Sequence, residues 1–200
     1  MDGLLFFWIA WMFWGLVTFN FKKSFYRTYY AFVTLALIAL SGEVLQIGWM
    51  AINLAFLLLC LLCSASFRAI SKRMMVHHVV IALIIALVYV SLLLFSIYDP
   101  VWEFLYTKYS IAFILVIVAH FTVKTFSTRF SVLAMGAVQG EILLALLYHN
   151  LGIPGIVGSF HFFDVLAVTL GISGIWGAFV RITKSLETFL HKTQERRGYS

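Results

Sequence analysis

Two hundred residues that are 63% hydrophobic and 11% charged, with a mean hydropathy of +1.01, are too apolar for a water-soluble domain. The formal charge of +6 does not point to nucleic acid, because the basic residues lie between apolar runs and not along one soluble face. The expected partner is the lipid bilayer.

The first apolar run, residues 4–20, follows Met1-Asp2-Gly3 and precedes Lys22-Lys23. Its acidic start and bulky side chains do not fit a cleaved secretory signal, and position 2 lacks the glycine needed for myristoylation. The positive flank comes after the run, so the N-terminus is expected outside. Trp8, Trp11 and Trp14 progress around this helix with Phe6, Phe7 and Phe13, as lipid or helix contacts with Trp8 in an interfacial belt. The second run, residues 28–44, ends near Ser41-Gly42-Glu43, and the third, residues 47–66, follows almost at once. The two are expected to form a tight helical hairpin, closed by Arg68, Lys72 and Arg73. Residues 74–97 form the fourth run, stopped at Asp99-Pro100 because proline cannot continue a helix. Residues 105–123 are the fifth, followed by Lys124 and Arg129, and residues 131–148 are the sixth. A loop with Gly152, Pro154, Gly155 and Gly158 leads to the seventh, residues 163–180.

The cations orient these runs. With the N-terminus outside, the inner segments carry Lys22, Lys23 and Arg27; Arg68, Lys72 and Arg73; Lys124 and Arg129; and Arg181, Lys184, Lys192, Arg196 and Arg197. Only Lys108 of the 14 Lys and Arg falls outside, so the positive-inside rule holds at every loop. The fold expected is all-α: a polytopic transmembrane helix bundle of seven spans, N-out/C-in, over residues 1–180. Residues 181–200 form a basic tail in which Ile182, Leu186, Phe189 and Leu190 recur at helical spacing, with Lys184, Glu187 and Lys192 on other faces. That pattern suits an amphipathic cytoplasmic helix on the anionic inner leaflet or, equally, a solvated extension of the seventh helix.

Glu141 lies inside the sixth run. Counted from Arg129 at about 1.5 Å per residue, it sits about 18 Å along the helix, near the middle of a bilayer. A carboxylate there costs several kcal/mol unless it is protonated, paired or facing water, which makes it a functional candidate by default. The plainer alternative is a protonated carboxyl hydrogen-bonded to a neighbouring helix. Leu133, Gly136, Ala137, Gly140, Glu141 and Leu144 fall within an arc of about 140° at helical spacing. Gly136-xxx-Gly140 therefore allows close backbone approach on the side that carries the carboxyl. Ala167, Gly171, Gly174 and Ala178 make a similar stripe in the seventh run, so the sixth and seventh helices are expected to pack on each other.

Gly42-Glu43-Val44-Leu45 recurs as Gly140-Glu141-Ile142-Leu143. Both glutamates would then lie in the second helix of a three-helix set, giving a 3+1+3 pseudo-repeat with the fourth helix as connector. Coincidence readily supplies four matched residues. The layout resembles that of the SWEET and PQ-loop transporters, but the Pro-Gln signature is absent, both prolines (Pro100 and Pro154) being in outer loops.

The remaining outer polar residues are Glu43, Asp99, Glu103, His149, His161 and Asp164. His161 and Asp164 are spaced for one helix face, which suits a metal or a hydrogen-bonded pair, although solvated side chains are the plainer reading and no metal is expected. His77-His78 reads as an interfacial pair, and His120 lies about one turn from the inner end of the fifth run. Cys60 and Cys63 form a CxxC within an apolar span, where small apolar packing is favoured over redox work. There is no HExxH, GxSxG, Walker or Rossmann pattern, and no lysine in the seventh run for a retinal Schiff base. Neither an enzyme nor a cofactor is expected.

The opening Met1-Asp2-Gly3-Leu4-Leu5-Phe6-Phe7-Trp8, continuing through Trp11, Trp14, Thr18-Phe19 and Lys22, resembles that of the YphA family of small integral membrane proteins of Bacillus-type bacteria. The resemblance covers the whole chain. It implies a multi-pass protein of a bacterial plasma membrane, and it brings no catalytic or ligand residue with it. Two functions are then in view. One is a non-catalytic accessory or assembly component that uses its small-residue faces and basic tail against a membrane-protein partner or a second copy. The other is a small proton- or cation-coupled transporter or channel working through Glu141, with Glu43 as an accessory.

Overall fold

Long apolar runs poor in glycine and proline favour helices, in which backbone groups satisfy one another. The computed structural model describes residues 2–48, 50–67, 72–98 and 107–198. In chain order it contains α1 (Leu4–Asn20), α2 (Phe25–Leu40), β1 (Val44–Ile47), β2 (Met50–Asn53), α3 (Leu54–Phe67), α4 (Lys72–Tyr98), α5 (Lys108–Thr122), α6 (Phe126–Asn150), β3 (Ile156–Val157) and α7 (Phe160–Gly198). The helical bundle stands as expected. Arg73–Ile97, Phe126–Asn150 and Phe160–Glu187 are each long and apolar enough to cross a membrane, whereas α1, α2, α3 and α5 are apolar but shorter.

The first helix runs over the expected residues. Ser24 starts α2 by accepting from the Arg27 N–H at 3.3 Å, and Thr107 does the same for Ser110 at the start of α5. The expected stop at Asp99-Pro100, and Glu103 beyond it, lie outside the described residues. The seventh helix continues without a break across Val180 to Gly198.

The second and third runs depart from expectation. α2 ends at Leu40, and Ile47 and Met50–Asn53, read as the start of a helix, instead belong to the strands of a β-hairpin. β1 and β2 pair antiparallel from Val44↔Asn53 to Ile47↔Met50, and Gly48, at φ 61°, supplies the left-handed backbone that a tight hairpin needs. Asn53 closes the hairpin: its Nδ2 donates to Ser41 O at 2.7 Å, and its Oδ1 accepts from the Ala55 N–H at 2.8 Å, opening α3. β2 also pairs parallel to β3 through Ala51↔Ile156 and Ile52↔Val157. A three-stranded sheet thus joins the α2–α3 connection to the α6–α7 loop.

Contacts between elements show how the helices alternate. Gly136 faces Ala82 and Ile85, while Gly140 faces Ala86 and Tyr89, so α4 and α6 run parallel and in contact. The starts of α1, α5 and α7 meet through Asp2, Lys108 and Asp164. The start of α7 also meets the second half of α6 where Gly158 bonds Glu141. With the sheet joining the end of α2 to the start of α3, one end of the bundle gathers the starts of the odd-numbered helices and the ends of the even-numbered ones. The core is built mainly by α3 to α7, with Ala55, Ala82, Ile85, Ile111, Ala119, Val132 and Phe162 fully enclosed.

The Gly136/Gly140 stripe packs on α4 and not on α7. A Cβ on Gly136 would sit 2.9 Å from Ala82 O, and one on Gly140 3.3 Å from Ala86 O. The glycines of α7 look elsewhere: Gly171 faces Ile9 of α1, and Gly174 faces Phe130 of α6. α6 and α7 do touch there, but through an aromatic side chain. The tetrapeptide match likewise does not fall on equivalent positions. Glu141 is inside α6, whereas Glu43 lies beyond the end of α2 at the mouth of the hairpin. α4, read as a connector in the pseudo-repeat, is the main packing partner of α6 among the described residues.

Candidate functional site

Three glycines and three aromatic rings place the Glu141 carboxyl. Because Gly136 and Gly140 have no side chains, α4 lies against the backbone of α6, and the Tyr89 ring rests directly on Gly140, 2.7 Å from where its Cβ would be. That brings Tyr89 Oη within donating distance of Glu141 Oε2, at 2.9 Å. From the other side, the Gly158 N–H donates to Glu141 Oε1 at 3.0 Å. Gly158 has φ 75° and Phe56 of α3 pressed against its Cα, so both conformation and space require glycine. Phe162 holds this corner through edge contacts with Phe56 and Tyr89, at centroid separations of 5.4 and 6.5 Å.

Glu141 is 5% exposed, and it forms the floor of a cleft of about 530 Å³. The walls come from α4 (Tyr89, Leu93), the second half of α6 (Leu144, Ala145, Tyr148, His149), Met50 of β2, the loop and strand of residues 152–157, Ser159, and His161 of α7. On α4 and α6 every lining residue lies at or beyond the level of Tyr89 and Glu141 in the chain direction. Below that level Gly136 and Gly140 bring the two helices together. The cleft therefore opens at the loop-bearing end of the bundle and stops on the carboxyl. Histidines apart, Glu141 is the one lining residue with an ionisable acidic or basic side chain other than tyrosine.

The structure brings Glu141, His149 and His161 to one cleft, and sends Asp164 and Glu43 elsewhere. Asp164 is fully buried. Its Oδ2 accepts from the Gly3 N–H at 3.0 Å and from Lys108 Nζ at 2.7 Å, and its Oδ1 accepts from the Phe6 N–H at 2.8 Å. Gly3 is the N-cap of α1 and has no side chain to cap with, so Asp164 of α7 caps α1 from across the bundle. The expected face shared by His161 and Asp164 is thus divided: one residue goes to the cleft and the other to the N-terminus of α1. Among the described residues no group of three or more His, Cys, Asp or Glu could hold a metal. Glu43 is exposed, and only its backbone carbonyl, which accepts from the Leu54 N–H at 3.0 Å, takes part in the hairpin.

Several side chains matter that the sequence reading passed over. Tyr89, the one tyrosine within the fourth run, was the available signal for a polar partner inside that helix. Lys108, expected as the single outer cation, is an ion-pair partner of buried Asp164 and lies 3.7 Å from Asp2. Arg129, counted only as a topological charge, is 6% exposed, and its Nε and Nη2 donate to Val123 O at 3.3 and 3.0 Å, capping the end of α5. Cys60 and Cys63 are free thiols on α3, and Cys63 packs into the core.

The comparison with protein families matches residues 2–198 of the chain to the model of the YphA-like integral membrane proteins. A protein of Bacillus subtilis strain 168 named "Uncharacterized protein YphA" is 23% identical over 164 residues, covering 82% of this chain and 81% of that protein. No solved structure matches. Together with the apolar helices, a match over almost the whole chain identifies an integral membrane protein, and the chain belongs to the YphA-like integral membrane protein family.

Proposed function

We propose that this protein is a seven-span, N-out/C-in component of a bacterial plasma membrane that acts without catalysis, as an accessory or assembly member of a membrane process. Its working part is the outward cleft that ends on Glu141. Strict alternation of helix ends supports the seven crossings, because the parallel pair α4 and α6 requires α5 to return between them. The positions of thirteen of the 14 Lys and Arg support the orientation. Lys108, the exception, is countered by Asp164 and Asp2. Its partners in this reading are lipid and either another membrane protein or a second copy of the chain.

One observation carries the choice of binding over passage. The cleft reaches a buried carboxylate and stops there, where Gly136 and Gly140 bring the α6 backbone against Ala82 and Ala86. A transporter or channel working through Glu141 would need a path beyond that contact. Reconstituted protein is therefore expected to pass protons and alkali cations no faster than protein-free vesicles, both as wild type and as Glu141→Gln. Flux present in the wild type and abolished in Glu141→Gln would establish the transport reading instead.

A further inference from the structure

We propose that the Glu141 cleft binds an organic ammonium group with a short apolar body, the carboxylate serving as its counter-ion. This rests on the reading of the cleft as a ligand site. Glu141 is the one Asp, Glu, Lys or Arg in the lining, so its carboxyl, once ionised by a bound cation, selects an ammonium group over an anion. An ionised carboxylate offers about four acceptor positions. Tyr89 and Gly158 occupy one on each oxygen and the Ser159 N–H takes a third, so about one acceptor position remains for a ligand.

His161 adds a second, independent observation. Its Nε2 is buried with no hydrogen-bond partner among the described residues, although the side chain lines the same cleft. Buried polar atoms of this kind are rare because leaving them unpaired is costly. An N–H donor from a ligand would satisfy the imidazole nitrogen as acceptor while its charge faced Glu141. A metal ion fits less well, because the described His, Cys, Asp and Glu residues make no group of three that could coordinate one.

The rest of the cleft fits an alkyl body. Leu93, Leu144, Ile153, Ile156 and Val157 supply apolar walls, and the rings of Tyr89 and Tyr148 are suited to a cation as well as to hydrocarbon. A volume of about 530 Å³ lies in the range that accommodates small organic molecules. Such a group could arrive as a free alkylamine or as the aminoethyl headgroup of a lipid, and the chemistry of recognition is the same.

The test uses the full chain in nanodiscs of phosphatidylglycerol, which carries no ammonium. Pentylammonium chloride is titrated while thermal stability is followed, with 1-pentanol as the neutral control. Pentylammonium is expected to raise the melting temperature in a saturable way and pentanol is not. Glu141→Gln and, separately, His161→Leu should each weaken pentylammonium by about tenfold or more. His161→Leu leaves the donors to Glu141 in place and so covers the case in which Glu141→Gln folds poorly. Equal shifts from pentylammonium and pentanol, or an unchanged affinity in His161→Leu, would overturn the proposal. Adding phosphatidylethanolamine to the discs separates the sources: competition with pentylammonium assigns the site to the lipid headgroup, and its absence to a free amine. The two proposals fail separately. Absent ammonium binding with absent flux removes only the ligand class, whereas ammonium binding accompanied by ammonium flux removes only the non-transporting reading.

Discussion

At the scale of single residues, two buried carboxylates hold the loop-bearing end together in different ways. Glu141 ties the loop before α7 to α4 and α6, and Asp164 ties α7 to the starts of α1 and α5. Glu141→Ala leaves Tyr89 Oη and the Gly158 N–H without their acceptor. It should cost about 2–4 kcal/mol in reversible unfolding from detergent micelles, given about 1–3 kcal/mol for each buried group left unpaired. Glu141→Gln keeps one amide oxygen as acceptor and should cost about half as much. Lys108→Met is expected to destabilise by about 2–3 kcal/mol, at or below the bottom of the roughly 3–5 kcal/mol range for breaking a buried pair, because the lysine itself is partly exposed. Asp164→Asn in the same chain should return part of that loss, since the double variant no longer buries an unpaired charge. A strictly additive double variant would show that the 2.7 Å pair is not coupled. That Glu141 is enclosed follows from its helix face, already visible in the spacing. That its partners are Tyr89 and Gly158 does not, because 52 and 17 residues of chain separate them from it.

At the scale of elements, the contact between α4 and α6 sets the position of everything around the cleft. Gly136→Val would drive a side chain into Ile85 and the Ala82 carbonyl, both within 3 Å of the new Cβ. Overpacking of this kind costs about 1–3 kcal/mol, and here it should also push Tyr89 away from Glu141. Gly171→Ala provides the contrast. Its nearest neighbour, Ile9, is 3.8 Å away, so stability in the same unfolding assay should change by less than about 0.5 kcal/mol. The small-residue pattern in α6 was legible as a contact face, but its partner was not. A GxxxG stripe marks where a backbone can approach without marking which backbone does. The hairpin of β1 and β2 was hidden for a related reason. Val44 to Asn53 is apolar enough to extend a helix, and short apolar runs carry no period that separates strand from helix. Gly48 was the local hint, and the deciding interaction is with β3, about a hundred residues away.

At the scale of the whole molecule, the seven crossings we propose rest on the alternation of helix ends. Reporter tags should place the N-terminus outside and the C-terminus inside, and tags found in one compartment would contradict that. Lys108→Met should leave the orientation unchanged, because thirteen other cations still favour it, and the same tags test this. Composition and hydropathy determined, without coordinates, that the chain is a helical bundle of an integral membrane protein, roughly where its seven helices lie, and that Glu141 falls within the sixth of them. These are local or summed properties, since transfer into lipid and helix formation depend on each segment by itself. Only the tertiary structure decided that α6 packs on α4, that Asp164 caps a helix at the far end of the sequence, and that Glu141 closes a cleft instead of lying sealed between helices. Those arrangements rest on pairings among many similarly apolar faces, and the small differences in packing that select one pairing arise only when the surfaces meet.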